Sequence, residues 1–245
     1  MSEVKPYKES TAEKKEQVAE MFDNISPKYD LLNRVLSVGI DILWRKKAVR
    51  ILKKYNPKTI LDVATGTGDF AIELAKMKPD RIVGADISQG MLDVGIKKVE
   101  KKNLSDLISL ELGDAENMKY QDAEFDAITV AFGVRNFQDL EKGLKEFHRV
   151  LNDKGVAIIL EFSQPEKFPV KQFYNFYFTR ILPFFGRMVS KDSSAYTYLP
   201  ESVNHFPYGE KFMEITTSCG FSNVQQKRLS FGIATIYIAK KKNNN

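Results

Sequence analysis

The stretch KTILDVATGTGDF, residues 58–70, decides how this 245-residue chain folds. Its first part is a short apolar run, its middle sets Gly66 and Gly68 close together, and its end opens the helix-like segment DFAIELAKM. Four similar runs follow: RIVGADIS (81–88), LISLELGDA (107–115), FDAITVAFG (125–133) and KGVAIILEFS (154–163). Helix-like or loop segments separate them, among them LEKGLKEFHRVLND (140–153). Strands alternating with helices predict an α/β fold with a parallel sheet, because each crossover lays a helix over the sheet and buries both faces. The last segment, FSNVQQKRLSFGIATIYIAKKK (221–242), offers two strand-like runs joined by SFG with no helix between them. It reads as an antiparallel hairpin at the sheet edge. Before the first strand, residues 11 to 54 carry a helical period, broken near SPKYD by Pro27. With no repeat and no linker, the whole of 1–245 reads as one domain: a helical cover over 1–54, the alternating core, and an insertion over 162–210.

Composition excludes several classes. A hydrophobic fraction of 43% suffices for one large core. The single cysteine, Cys219, rules out an internal disulfide framework and a cysteine metal cluster, and fits a reducing, cytoplasmic location. The start MSEVKPYKESTAEKKEQ has no apolar signal core, and nothing approaches the roughly 20 apolar residues of a membrane span. The net charge of +5 is spread through helices such as KKVEKKN, a solvated face rather than a nucleic-acid patch, although compatible with an anionic membrane surface. No histidine spacing or paired carboxylates suggest a metal site. His148 lies inside a helical pattern and reads as structural; His205 reads as a surface residue, with assistance to proton removal as the alternative.

In an open α/β sheet, ligands bind beyond the carboxyl ends of the strands, where strand order reverses. The first strand ends at Asp62 and then Gly66, Thr67 and Gly68, where backbone can approach a ligand closely. The second ends at Asp86, whose carboxylate can accept from both hydroxyls of a ribose; otherwise it caps the helix near Ser88. The third ends at Asp114 and Ala115, placed to accept from an adenine amino group and donate to a ring nitrogen. Three strand ends thus supply one nucleoside site. Gly66, Gly68 and Ala71 formally match a dinucleotide fingerprint, so an NAD-dependent oxidoreductase is a rival reading. Asp62 and Asp69 flank the loop, however, which disfavours a pyrophosphate and favours the sulfonium and ammonium of S-adenosylmethionine. A non-catalytic cofactor- or lipid-binding module on the same fold is the second rival.

The motifs LDVATGTGD, ADIS with GML, GDAEN, FGVRNF, LEFSQP and YLPESV resemble the ubiquinone/menaquinone biosynthesis C-methyltransferase family. The likeness runs from FDNISPKYDLLNRVLSVGIDILWR to the final strands; KYDLLN, FGVRN and YLPESV are its more specific parts. The resemblance implies a class I methyltransferase fold of seven strands, the last antiparallel, with a Rossmann-like core. It implies S-adenosylmethionine contacts at Thr67, Asp86 and the Asp114–Ala115 pair. Ala131 stands where family members often carry serine, and GDAENMKYQD departs from their usual Leu-Pro-Phe pattern, which removes expected side-chain contacts there.

The implied reaction is methyl transfer to a ring carbon of a reduced polyprenyl quinone precursor, demethylmenaquinol to menaquinol, or the corresponding methoxybenzoquinol. Arg135 and Asn136, just past the fourth strand, would then bind the quinol oxygen and stabilise developing phenolate charge. Otherwise Arg135 pairs with a surface carboxylate and Asn136 caps the next helix. Tyr29, on the helical cover, is the third catalytic candidate. The insertion FPVKQFYNFYFTRILPFFGRMV (168–189) is dense in aromatics; it reads either as a stripe packed into the core or as a helix whose Phe184 and Phe185 rest on the inner face of the membrane and admit the isoprenoid tail. The partners implied are thus the quinol and membrane lipid, with a homodimer left open.

Overall fold

A computed structural model describes residues 4–181 and 194–241. Seven strands form a single sheet: β1 (Thr59–Val63), β2 (Arg81–Asp86), β3 (Ile108–Leu112), β4 (Phe125–Ala131), β5 (Leu151–Phe162), β6 (Phe221–Leu229) and β7 (Ala234–Lys241). Their spatial order is β3-β2-β1-β4-β5-β7-β6. The first five are parallel, and β7 slots between β5 and β6 antiparallel to both. The hairpin read from SFG is therefore present, with β6 as its edge. No helix lies between β3 and β4; residues 113–124 cross as a loop.

The helices are α1 (Lys14–Ile25), α2 (Tyr29–Leu36), α3 (Ile40–Leu52), α4 (Asp69–Leu74), α5 (Gln89–Lys101), α6 (Leu140–Val150), α7 (Val170–Phe176), α8 (Ser194–His205) and α9 (Glu210–Ser218). Local chemistry sets their starts. Ser88 caps α5 by accepting from the Met91 N–H at 3.1 Å, and Asp139 caps α6 by accepting from Lys142 N–H at 2.9 Å. Pro27 sits in a 3₁₀ turn, Ser26–Lys28, that separates α1 from α2, so the break at SPKYD is a bend between two helices.

One face of the sheet packs Phe147, Phe212 and Tyr237 into its core, and the other packs Leu52, Leu74 and Ile158. Val18, Met21 and Ile25 of α1 join Leu32, Met91, Ala195 and Tyr198 in a third, smaller cluster. This cluster ties the helical cover and α8 to α5, above the carboxyl ends of the strands. Strand order reverses between β1 and β4, so the crevice opens there. Among the described residues no helix is long and apolar enough to cross a membrane.

Candidate active site

At the end of β1, Asp62 is buried and accepts from the hydroxyls of Thr65 and Thr129, each at 2.6 Å. Burial pushes its carboxyl up to about 6, against the pull of those two hydroxyls. Asp86, at the end of β2, accepts from the N–H groups of Gly66 (2.7 Å) and Ser88 (2.9 Å). It too is pushed up to about 6, by burial first. Ser88 itself caps α5, so the reading of Asp86 as a cap is superseded. The loop between β1 and α4 turns on left-handed backbone at Gly66 (φ +57) and Gly68 (φ +75), and open space lies where a Gly66 side chain would project. Asp69 differs from Asp62: burial raises it, but the cations of Lys98, Arg45 and Arg34 outweigh burial and hold it below the usual carboxylate range.

Two connected spaces meet at this loop. A narrow chamber of about 70 Å³ is lined by Asp86, Asp114, Ala115 and Asn136, with Lys15 and Val18 of α1 above it. A cavity of about 620 Å³ extends from Asp62 and Thr65 between α2, α3 and α7. Its walls are mostly aromatic: Trp44, Phe132, Phe162 and Phe178 stand in a chain with ring centroids 4.5 to 6.5 Å apart. Phe22, Tyr29, Ala64, Gly66, Ala131 and Phe132 border both spaces. Tyr29 therefore stands at the junction, edge-on to Phe22. Burial pushes its phenol up, against the Asn33 hydrogen bond and the charges of Arg135 and Arg45.

The structure separates the FGVRN pair. Arg135 lines the large cavity and Asn136 the narrow chamber. Arg135 pairs with a buried carboxylate, not a surface one: Nη1 reaches Glu161 Oε1 at 3.0 Å, and its backbone N–H reaches Glu161 Oε2 at 3.3 Å. Nη1 also donates to the Phe132 carbonyl, and the guanidinium lies over the Phe162 ring at 5.5 Å. Burial pushes the Glu161 carboxyl up, against the pull of Arg135. Asn136 does not cap α6, since Asp139 does. Its side-chain carbonyl is buried without a partner.

The whole arrangement can be compared with known proteins. Residues 10–241 match the pattern of the ubiE/COQ5 methyltransferase family. The chain is 50% identical over 239 residues to a demethylmenaquinone methyltransferase of Bacteroides fragilis, covering 97% of each. It is 46% identical over 231 residues to the ubiquinone/menaquinone biosynthesis C-methyltransferase UbiE of Geotalea uraniireducens, covering 94% of this chain and 98% of that one. The chain belongs to the ubiE/COQ5 methyltransferase family.

Solved structures agree on the fold of this methyltransferase. A putative S-adenosyl-L-methionine-dependent methyltransferase of Methanococcus maripaludis superposes with a TM-score of 0.61 at 21% identity, covering 100% of this chain and 99% of that one. A Haemonchus contortus N-methyltransferase solved with S-adenosylhomocysteine gives 0.59 at 15% identity, covering 80% of this chain and 52% of that one. The enzyme is thus an S-adenosylmethionine-dependent methyltransferase of class I fold. The dehydrogenase and non-catalytic readings find no support among these relatives.

The residues of the methyltransferase fit that donor. Asp62 has no ion pair among the described residues, so a cationic ligand would meet a carboxylate not already neutralised. Asp86 retains lone pairs beyond the two backbone bonds, and the Asn136 carbonyl is an acceptor awaiting a donor. Thr67 behaves otherwise: its hydroxyl donates to Asp30 at 2.6 Å and accepts from Lys98, turned toward the cover. Asp114 is held by Lys15 at 2.7 Å and by the Glu116 N–H at 2.9 Å. His205 is exposed, bonding its own helix at the Glu201 carbonyl, and His148 packs edge-on to Phe221, far from the site. The sequence reading missed Lys15, Asp30, Glu161 and Tyr174. Only Glu161 had a local signal, a lone charge closing the apolar run VAIIL.

Proposed function

We propose that the enzyme methylates a ring carbon of a reduced polyprenyl quinone precursor, converting demethylmenaquinol to menaquinol. The observation that carries this reading is the large aromatic cavity meeting the Asp62–Gly66 end of the cofactor site through Tyr29. The names of the Bacteroides and Geotalea relatives support it. A planar bicyclic ring suits walls of Trp44, Phe132 and Phe162, and about 620 Å³ leaves room for the first part of an isoprenoid tail. The bound donor supplies a methyl group on a sulfonium, which becomes a neutral thioether as the ring C–H is replaced by C–CH₃ and a proton leaves.

Carbon is a weak nucleophile, so the chain's own residues must load electron density onto it. Arg135, fixed from behind by Glu161 and Phe132, holds a positive charge toward the cavity that favours a phenolate over a phenol. It acts as a cation and not as a base, since a guanidinium keeps its proton. Tyr29, a neutral phenol, donates a hydrogen bond at the junction. Asp62, Gly66, Asp86, Ala115 and Asn136 hold the donor, while Asp114 shares its carboxylate with Lys15; Gly68, expected from the sequence to join them, lines neither space and turns the loop against Leu110 and Gly95. Incubating the enzyme with methyl-labelled S-adenosylmethionine and chemically reduced demethylmenaquinone tests the reading. Label in the ring of extracted menaquinone is expected; tight donor binding without ring label would end the menaquinol assignment and turn attention to benzoquinols.

The cavity also bears an apolar rim. Val38, Phe173 and Phe176 line it and are 82%, 71% and 58% exposed. Such a rim around a greasy cavity supports peripheral contact with lipid. Phe184 and Phe185, assigned that contact from the sequence, lie outside the described residues.

A further inference from the structure

Tyr174 belongs to α7, in the insertion, and lines the large cavity. Its ring lies against Phe178 with centroids 4.2 Å apart, and only 7% of the residue is exposed. Its hydroxyl is buried without a hydrogen-bond partner. Burial pushes the phenol well above its ordinary range, so it remains an O–H donor, and Arg135 is close enough to pull in the opposite direction. Arg135 carries a second orphan: Nη1 is committed to Glu161 and Phe132, yet Nε is buried and unpartnered. Buried donors are almost always paired, and leaving one unmade is costly. The two orphan donors belong to residues that line one cavity, and together they ask for an acceptor that the chain itself does not supply. Both present N–H or O–H and one belongs to a cation, so an oxygen gaining negative charge is the acceptor that suits them best.

We propose that Tyr174 is a substrate-binding residue whose hydroxyl, together with the Arg135 Nε–H, donates to one ring oxygen of the quinol as that oxygen gains phenolate character. The inference rests on the quinol reading and deepens it. The insertion then does more than shelter a tail: it supplies half of an oxyanion site, with the core strand end supplying the other half. A packing role for Tyr174 would need only its ring, which Phe178 already holds.

Trp44 allows a direct test, because it is the single tryptophan and lines the same cavity. Its fluorescence is titrated with a short-chain demethylmenaquinol under reducing, anaerobic conditions, for the wild-type chain and Tyr174→Phe. The pH profile of kcat, the affinity for S-adenosylmethionine and the melting temperature are recorded alongside. Expected for Tyr174→Phe are quinol binding weaker by about tenfold, the loss of one hydrogen bond to a charged acceptor, and an ascending limb of kcat shifted up by about one pH unit. Donor affinity stays unchanged, and the melting temperature stays equal or rises, because a buried unpaired hydroxyl has been removed. An active wild type with a Tyr174→Phe variant unaltered in quinol affinity and pH limb overturns the inference alone. A lowered melting temperature with parallel loss of donor affinity also overturns it, marking a packing role. A wild type that neither binds nor methylates the quinol overturns the quinol reading and this inference with it.

Discussion

Burial pushes the Asp62 and Asp86 carboxyls up from their ordinary 3.8 to about 6. For a group whose folded-state value is raised, the stability it lends is full below the unfolded value and lost as pH rises through the folded one. The enzyme without donor is therefore stabilised by these two groups at acidic pH and strained by them near neutrality. A ligand that brings a cation to Asp62 and hydroxyl donors to Asp86 needs both ionised. Its affinity should fall from pH 7.5 to 5 by up to about tenfold per carboxylate. Isothermal titration would show this, and Asp62→Asn should both weaken binding and flatten the slope; a pH-independent affinity in the wild type would remove the assignment. Arg135 makes a different claim. Arg135→Ala should lower kcat by about 10²-fold with little change in donor affinity, whereas equal losses in both would place it in donor binding. Glu161 had only the signal of a lone charge closing an apolar run, which tells neither that it is buried nor that Arg135 is its partner. Asp62, Asp86 and Asp114 were legible because a single rule, the carboxyl ends of parallel strands, selects them.

The cover α1 is latched to the core along its length. Lys14 donates to the Phe137 carbonyl, Lys15 pairs with Asp114 and Glu116, and Asp23 accepts from the Ser88 hydroxyl (2.6 Å) and the Gly90 N–H (2.8 Å). Asp30, on α2, continues the series by binding Thr67 and Lys98. Lys15, Val18 and Phe22 of α1 line the narrow chamber, so a donor held there as proposed is expected to enter and leave by loosening α1. Asp23→Ala removes two hydrogen bonds worth about 1 kcal/mol each. It should speed donor release several-fold in stopped-flow measurements, and hydrogen exchange in α1 should quicken; unchanged release would show that the donor leaves by another route. The helical period of residues 11 to 54 announced that helices exist there, and Pro27 announced their break. Nothing in the period announced these latches, which join residues 37 to 123 positions apart. The aromatic stripe of α7 was equally mute: spacing shows that Tyr174 is helical, not which way its hydroxyl points.

At the scale of the whole molecule, a positively charged protein of net +5 presents the apolar rim of Val38, Phe173 and Phe176 around its larger cavity. Replacing all three with serine forfeits about 1.5–3 kcal/mol of apolar burial per residue on a lipid surface, while leaving the core untouched. Co-sedimentation with anionic vesicles should drop by at least about tenfold on that basis; undiminished binding by the folded triple variant would dissociate the rim from lipid. The rim also lies apart from the wall of the narrow chamber, where Lys15 and Asp114 stand with side chains 28% and 31% exposed. On the reading proposed above, the two reactants have separate doors, a water-facing one and an apolar one. Spent donor can be exchanged for fresh without unseating whatever occupies the greasy side. If the rim rests on lipid as proposed, successive turnovers need no departure from the surface, and the next donor arrives from the water side while the quinol side stays seated.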